Sequence, residues 1–293
     1  MGGDALGTRA SVVWDVLRGV LAARAADTGR DRLDVIDAGG GTGGFAVPLA
    51  VLGHSVTVVD PSPDSLAAAQ RRAAEMDVRI SAIQGEAAGL DSVVGETAAD
   101  LVICHSVLEY VDSPADALAA VARVLRPGGT VSVLAASVAA AILHRAVAGR
   151  FAAARALLDG ALLDGALLDG APVDGAPVDG APVDGAPVDG APADGAPADG
   201  ALLDRDGGPS GTGRAPAAVP RYFTLPGLGA LIEGAGLFPG DAHGVQVFAD
   251  LVPSALVDAD PGAAEALRSL DVAAATYPPL RDIAARLHIL GRR

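Results

Sequence analysis

The sequence predicts an α/β fold built on a doubly wound parallel sheet, and three observations predict it. Strand-like and helix-like stretches alternate through the first half of the chain, the pattern of successive βαβ crossovers. A β-branched run, Leu33 to Ile36, ends in the acid Asp37 and breaks straight into the glycine-rich turn Gly39 to Gly44. About twenty residues on, a second apolar run ends in another acid, Asp60. Glycines between a strand and a helix let the backbone take positive φ and let a ligand approach closely. A nucleotide-type cofactor is therefore expected.

Val12, Val13, Val16, Leu17, Val20 and Leu21 recur at helical spacing, so residues 9–26 form an amphipathic helix over one side of the cofactor site. Asp34 to Asp37 is the first strand and Phe45 to Leu52 the first crossover helix. His54 to Asp60 is the second strand, after which Pro61-Ser62-Pro63-Asp64 opens an alanine-rich helix, Ser65 to Met76. Arg79 to Gln84 is short and β-like. Leu101 to Cys104 is the fourth strand, Pro114 to Leu125 a helix stopped by Pro127-Gly128-Gly129, and Thr130 to Leu134 the fifth strand. Val138 to Leu158 reads as helix. Beyond the repeat described below, Leu225 to Ala235 reads as a helix ended by Gly236, and Val245 to Phe248 and Ala284 to Leu290 as strands.

A five-residue unit, Asp-Gly-Ala-x-x, repeats nine times from Asp159 to Leu203. Period five matches neither helix nor strand. Stacking as a β-helix is the functional alternative, but six units place proline where an inward apolar residue is needed, and each unit adds an uncompensated carboxylate. Residues 159–215 are expected to be a disordered insertion without catalytic role, cheap because closure entropy grows only with the logarithm of loop length.

The chain of 293 residues modestly exceeds one ordinary domain, and a single elaborated domain is expected. The lone cysteine, Cys104, excludes an intrachain disulfide and a cysteine-built metal site. The five histidines are scattered without ligand spacing, so no metal is expected. The start lacks a basic, apolar leader, and the longest apolar run, Val131 to Leu143, is too short to span a bilayer; a cytoplasmic protein with no membrane partner is expected. A net charge of −15 argues against a nucleic-acid partner, yet ten of the acids are the aspartates running at the repeat's spacing from Asp159 to Asp204, and the rest of the chain carries only −5. A local basic rim stays open.

Asp60 suits the ribose of either a dinucleotide or another nucleoside cofactor. The loop Asp37-Ala38-Gly39-Gly40-Gly41-Thr42-Gly43 discriminates: it resembles the first motif of class I S-adenosylmethionine (SAM) methyltransferases. Asp100 to Tyr110 resembles the strand-four motif of that family, and Val124 to Gly129 the turn before its fifth strand. The resemblance implies SAM as cofactor and a Rossmann-like seven-stranded sheet closed by an antiparallel pair. Its parts are a helical cap (1–30), a SAM-binding core (31–136), a helical connection (137–158), the insertion (159–215) and a C-terminal completion of the fold (216–293).

Read together, His105 to Val111, Leu125 to Gly129, Val147 to Phe151, Pro220-Arg221, Gly244 to Asp250 and Leu287-His288 resemble the tRNA 5-carboxymethoxyuridine methyltransferase family. By that resemblance the SAM contacts fall on Arg9, Gly39, Gly40, Asp60, Ala87, Ala88 and His105; Asp37, Gly41, Gly43 and Glu86 complete the expected set. Arg9 suits the methionine carboxylate and Asp60 the ribose diol. Asp37 orients the loop or meets the amino group, and Glu86, Ala87 and Ala88 lie along the adenine. His105, at the end of strand four, is a cofactor contact, a base or a structural donor. A carboxylate acceptor, with a pKa of about 4, needs no base, whereas a hydroxyl would make His105 the natural one.

Three departures fall on the substrate side. Gln246 stands where the family has arginine, Ala135-Ala136-Ser137 replaces an aromatic-Tyr-Asn wall, and the acidic repeat occupies the place of a basic loop. The favoured expectation is thus an enzyme methylating a carboxylate or hydroxyl oxygen of a small molecule. The alternatives are a tRNA carboxyl methyltransferase, with Arg150 and Arg221 as substrate partners, and a non-catalytic SAM-binding scaffold. Oligomeric state is not legible.

Overall fold

The computed structural model describes residues 11–163 and 220–293. Arg9 and the repeat from its second unit onward lie outside the described residues, as does the expectation of disorder there.

Helix α1 (Ser11–Thr28) leads into β1 (Asp34–Ala38), α2 (Ala46–Val51), β2 (Ser55–Asp60), α3 (Pro63–Glu75) and β3 (Ser81–Gln84). A 3₁₀ turn at Ala87–Gly89 and the short α4 (Leu90–Val94) precede β4 (Ala99–His105), α5 (Pro114–Val124) and β5 (Leu125–Ala136). Then come α6 (Val138–Val147), α7 (Phe151–Leu163), α8 (Leu225–Gly234), β6 (Phe238–Val245), α9 (Ser254–Asp258), α10 (Ala263–Ala274), α11 (Pro278–Arg281) and β7 (Arg286–Arg292). The strands form one seven-stranded sheet in the order β3-β2-β1-β4-β5-β7-β6. β1 to β5 are parallel; β7 runs antiparallel to both neighbours. The expected closing pair is therefore present.

Local chemistry sets the helix starts. The side chains of Ser62, Ser113, Ser137 and Thr224 each accept a backbone N–H of the first turn of α3, α5, α6 and α8, and Pro63 and Pro114 supply a preset φ at N1 without a donor to satisfy. Strand residues alternate between two cores. Val35, Val58, Leu101, Ile103 and Leu134 pack with Leu17 and Leu21 of α1 and Leu49 of α2 on one face. Ile36, Val102, Cys104, Val131 and Val133 pack with Leu118 and Val121 of α5 and Ile232 of α8 on the other.

Three expectations are corrected. The last edge strand is Phe238–Val245, not Val245 to Phe248. Its sequence, with Pro239, Gly240 and Gly244, lacks apolar alternation because its first half is exposed, and Gln246 at φ +58° turns the chain out of the sheet where the apolar run suggested a strand. The single helix Val138 to Leu158 is two helices broken at Gly149, whose φ is +74°. α7 runs on through the first repeat unit to Leu163, because that unit carries leucines, which favour helix, in place of the proline of later units.

Candidate active site

The acids and glycines of the loop meet at the C-terminal ends of β1, β2 and β4, where ligands of open α/β sheets bind. Gly39, Gly41 and Gly43 have φ of +71°, +52° and +80°. A Cβ on Gly39 would stand 2.4 Å from a methyl of Val107, and one on Gly40 2.6 Å from the carboxylate carbon of Asp37. The loop is closed by Gly39 N–H donating to Val59 O at 2.7 Å and Gly43 N–H to Gly40 O at 2.9 Å.

Asp37 is buried, with one carboxylate oxygen lacking any hydrogen-bond partner. Burial pushes its pKa up to about 7; the Ala46 N–H opposes the rise and the nearby Asp60 adds to it. Asp60, also buried, accepts the Gly41 N–H on Oδ2 and the Ser62 N–H on Oδ1, both at 2.9 Å. A carboxylate offers about four lone-pair sites, so each oxygen can take a further donor. Glu86 is exposed ahead of the 3₁₀ turn, Ala87 is buried and Ala88 exposed, all just beyond β3.

His105 closes β4, one residue past the partner of Ala38. Its ring meets Phe45 edge-on at 4.7 Å, and Phe45 stacks on Trp14 of α1 at 5.1 Å. Nε2 lies 2.7 Å from Ser132 Oγ, while Nδ1 is buried without a partner. Burial, followed by the positive influence of His288 and Arg286, holds the imidazole well below its ordinary pKa and hence neutral.

Several site residues were given no role by the sequence, although Ser106 and Glu109 lie within the strand-four motif. Ser106 stands in the left-handed region at φ +55°, held by its N–H to Leu134 O and by Arg286, which donates to its hydroxyl from β7. Glu109 is buried, accepts the Ala136 N–H at 2.9 Å on one oxygen and leaves the other unpartnered; burial raises its pKa. Arg286 and Ser132 come from segments far from the motif residues in sequence, so no local spacing announces them. Arg221 donates from its guanidinium to the carbonyls of Val111 and Asp112, bracing the loop after β4. Arg150 lies exposed in the turn between α6 and α7.

Residues 36–133 match the family model described as a methyltransferase domain. This segment lies within the seven-stranded sheet, so the chain carries a methyltransferase domain on a Rossmann-like fold. Among curated proteins it is similar to the tRNA 5-carboxymethoxyuridine methyltransferase of Escherichia coli, 36% identical over 43% of this chain and 47% of that protein. It is also similar to the ubiquinone biosynthesis O-methyltransferase of Methylocella silvestris, 38% identical over 33% of this chain and 37% of that one. The chain thus spans less than half the length of these curated relatives. Among solved structures, a SAM-dependent methyltransferase from Mesorhizobium loti is 18% identical, covers 97% of this chain and 98% of its own, and superposes with a TM-score of 0.52. One from Methanosarcina mazei, 12% identical, covers 90% and 93% with a TM-score of 0.50. These two bear on the fold alone.

The loop fits SAM on its own geometry. The space a Gly40 Cβ would fill lies against Asp37, and the unpartnered oxygen of that buried acid calls for a donor such as an ammonium group. Among the described residues no group of three or more His, Cys, Asp or Glu can hold a metal ion, and no helix is long and apolar enough to cross a membrane.

Proposed function

We propose that the protein is an active enzyme that transfers a methyl group from SAM to a carboxylate or hydroxyl oxygen of a small molecule. The unpartnered Asp37 oxygen beneath Gly40 carries this reading, since a loop kept for structure alone gains nothing by burying an unsatisfied carboxylate. Bound SAM supplies an electrophilic methyl on a sulfonium. Asp60 takes the ribose hydroxyls on its remaining lone pairs, Asp37 meets the amino group, Arg9 holds the methionine carboxylate, and Glu86, Ala87 and Ala88 border the adenine. Gly39, Gly40, Gly41 and Gly43 keep the backbone low enough for this approach. His105, Phe45 and Trp14 wall the methyl side, where alignment and exclusion of water can lower the barrier by about 7 to 11 kcal/mol. Arg286 offers positive charge on the acceptor side. The cytoplasm, in keeping with a lone buried thiol, is the proposed location.

The second reading, methylation of a tRNA carboxymethoxy group, is favoured by the 36% identity to the Escherichia coli enzyme of that name. Arg150 and Arg221 are its candidate substrate partners. Calorimetric titration with SAM and with NADH, on the wild type and Asp60→Ala, tests the cofactor site; tritium transfer from SAM to metabolite fractions and to bulk tRNA tests the acceptor. SAM binding lost in the variant, with label in the metabolite fraction, supports the first reading. Label in tRNA replaces it with the second, and SAM binding without transfer to either supports a non-catalytic scaffold.

A further inference from the structure

His105 stands at one end of a polar row that crosses half the sheet. Its Nε2 is 2.7 Å from Ser132 Oγ, that oxygen is 2.8 Å from His288 Nε2, and His288 Nδ1 is 3.3 Å from His243 Nδ1. Strand register builds the row. His105 pairs with Leu134, Leu134 with His288 and His288 with His243, while Ser132 lies two residues before Leu134 and so on the same face. Ser132 and His288 are fully buried, whereas His243, on the edge strand β6, is only partly buried. The inner end is the unpartnered Nδ1 of His105.

Each member can accept a proton on one atom and donate from another, or, for the hydroxyl, do both on one. With donation directed outward, His105 Nε2–H donates to Ser132 Oγ, Ser132 O–H to His288 Nε2, and His288 Nδ1–H to His243 Nδ1. His105 Nδ1 is then a free lone pair. We infer that this row is a proton exit from the methyl-acceptor site, with His105 as the general base at its mouth, and that the acceptor is accordingly a hydroxyl or phenol rather than a carboxylate. This rests on the reading of the protein as an active SAM-dependent enzyme.

The step balances. The acceptor oxygen bonds to the methyl carbon as the carbon–sulfur bond breaks and its electron pair returns to sulfur. The acceptor proton passes to His105 Nδ1, the Nε2 proton to Ser132, the Ser132 proton to His288 Nε2, the His288 Nδ1 proton to His243 Nδ1, and the His243 Nε2 proton to water. Because His105 Nδ1 is buried here, the reset requires water to enter as product leaves and take the Nδ1 proton, after which reverse passage restores the row. Burial keeps the interior neutral: His288, buried beside His243, is held down to about 3. Arg286 faces His105 from β7, which disfavours a cation lingering there; at the outer end Asp241 favours a charged His243 while burial and Arg281 oppose it.

The test combines side-chain NMR of ¹⁵N-histidine-labelled protein with the chemistry of the product. Expected are His105 protonated on Nε2 and His288 on Nδ1 in the wild type, with Ser132→Ala changing the nitrogen shifts of both while SAM affinity by calorimetry stays within about twofold. His105 protonated on Nδ1, or His105 shifts untouched by Ser132→Ala, overturns the row. If Ser132→Ala does not fold, His243→Gln at the partly buried outer end replaces it, with His288 shifts as the readout. Tritium transferred from SAM to an extract acceptor is expected to survive mild alkali, as a methyl ether does. Release as methanol marks a methyl ester and overturns the acceptor class; failure to bind SAM overturns the underlying reading while the NMR result still judges the row.

Discussion

Asp60, the last residue of β2, accepts the Gly41 N–H at 2.9 Å, so the acid at the end of one strand holds the middle of the glycine loop that follows its neighbour. The same carboxylate is therefore both a brace and a candidate ribose acceptor. Asp60→Ala is expected to weaken SAM binding by about one to two orders of magnitude, the range of hydrogen bonds to a charged group. Calorimetry checks it; affinity within threefold of wild type would remove Asp60 from the cofactor site.

Asp37 titrates near 7 in the folded chain against an ordinary 3.8. Between these values the folded state keeps a proton that the unfolded state has released, so stability falls as pH rises from about 4 to 7 and levels off above. Asp37→Asn keeps the shape and the Ala46 contact without the charge. It should match wild type near pH 4 and exceed it at pH 8 by about 2 kcal/mol, less than the full shift implies because neighbours relax. Urea melts at the two pH values decide this.

Gly39→Ala faces two penalties, a φ of +71° and a Cβ 2.4 Å from the Val107 side chain. A loss of about 2–3 kcal/mol is expected. Adding Val107→Ala should recover only the steric part, leaving about 1 kcal/mol of backbone strain. Full recovery in thermal melts would show that φ is irrelevant here.

At the opposite end of the strands, buried Asp100 accepts from Arg24, Arg30, Arg126 and the Asp34 N–H. Burial raises its pKa, but the Asp34 N–H and the arginines outweigh that and hold it below the ordinary value. Its stabilisation is thus complete above about pH 4 and lost as pH falls through the depressed value. Asp100→Ala should cost about 2–4 kcal/mol at pH 7, reduced from a fully buried pair because Arg30 and Arg126 are 40% and 30% exposed, and the gap should narrow in acid.

Cys104 is fully buried, and its thiol is pushed up to about 12, by burial first and then by Glu109 and Asp37. Iodoacetamide at pH 8 should leave the native protein unlabelled and modify it in urea. Rapid labelling of the native protein would place Cys104 in an open site.

Much of this architecture was legible beforehand. The glycine loop, both strand-end acids and the inner parallel strands β1, β2, β4 and β5 announce themselves because a strand buried on two faces is a largely apolar run and a positive-φ turn demands glycine. The edge strand β6 did not, since half its face is exposed and its apolar alternation is lost. Helices α9 to α11, in a segment without marked periodicity, were likewise unseen.

What the sequence by itself determined is the parallel part of the sheet and its glycine loop, because these depend on local backbone requirements and burial patterns that each segment carries alone; the cofactor followed from the family resemblance those motifs carry. Only the tertiary structure decided the acceptor side. Ser106 met by Arg286, Glu109 against Ala136, and His105 joined through Ser132 to His288 and His243 are partners 27 to 180 residues apart. Strand order and register bring them together, and an antiparallel β7 inserted between β5 and β6 is a fact about packing that no local spacing contains.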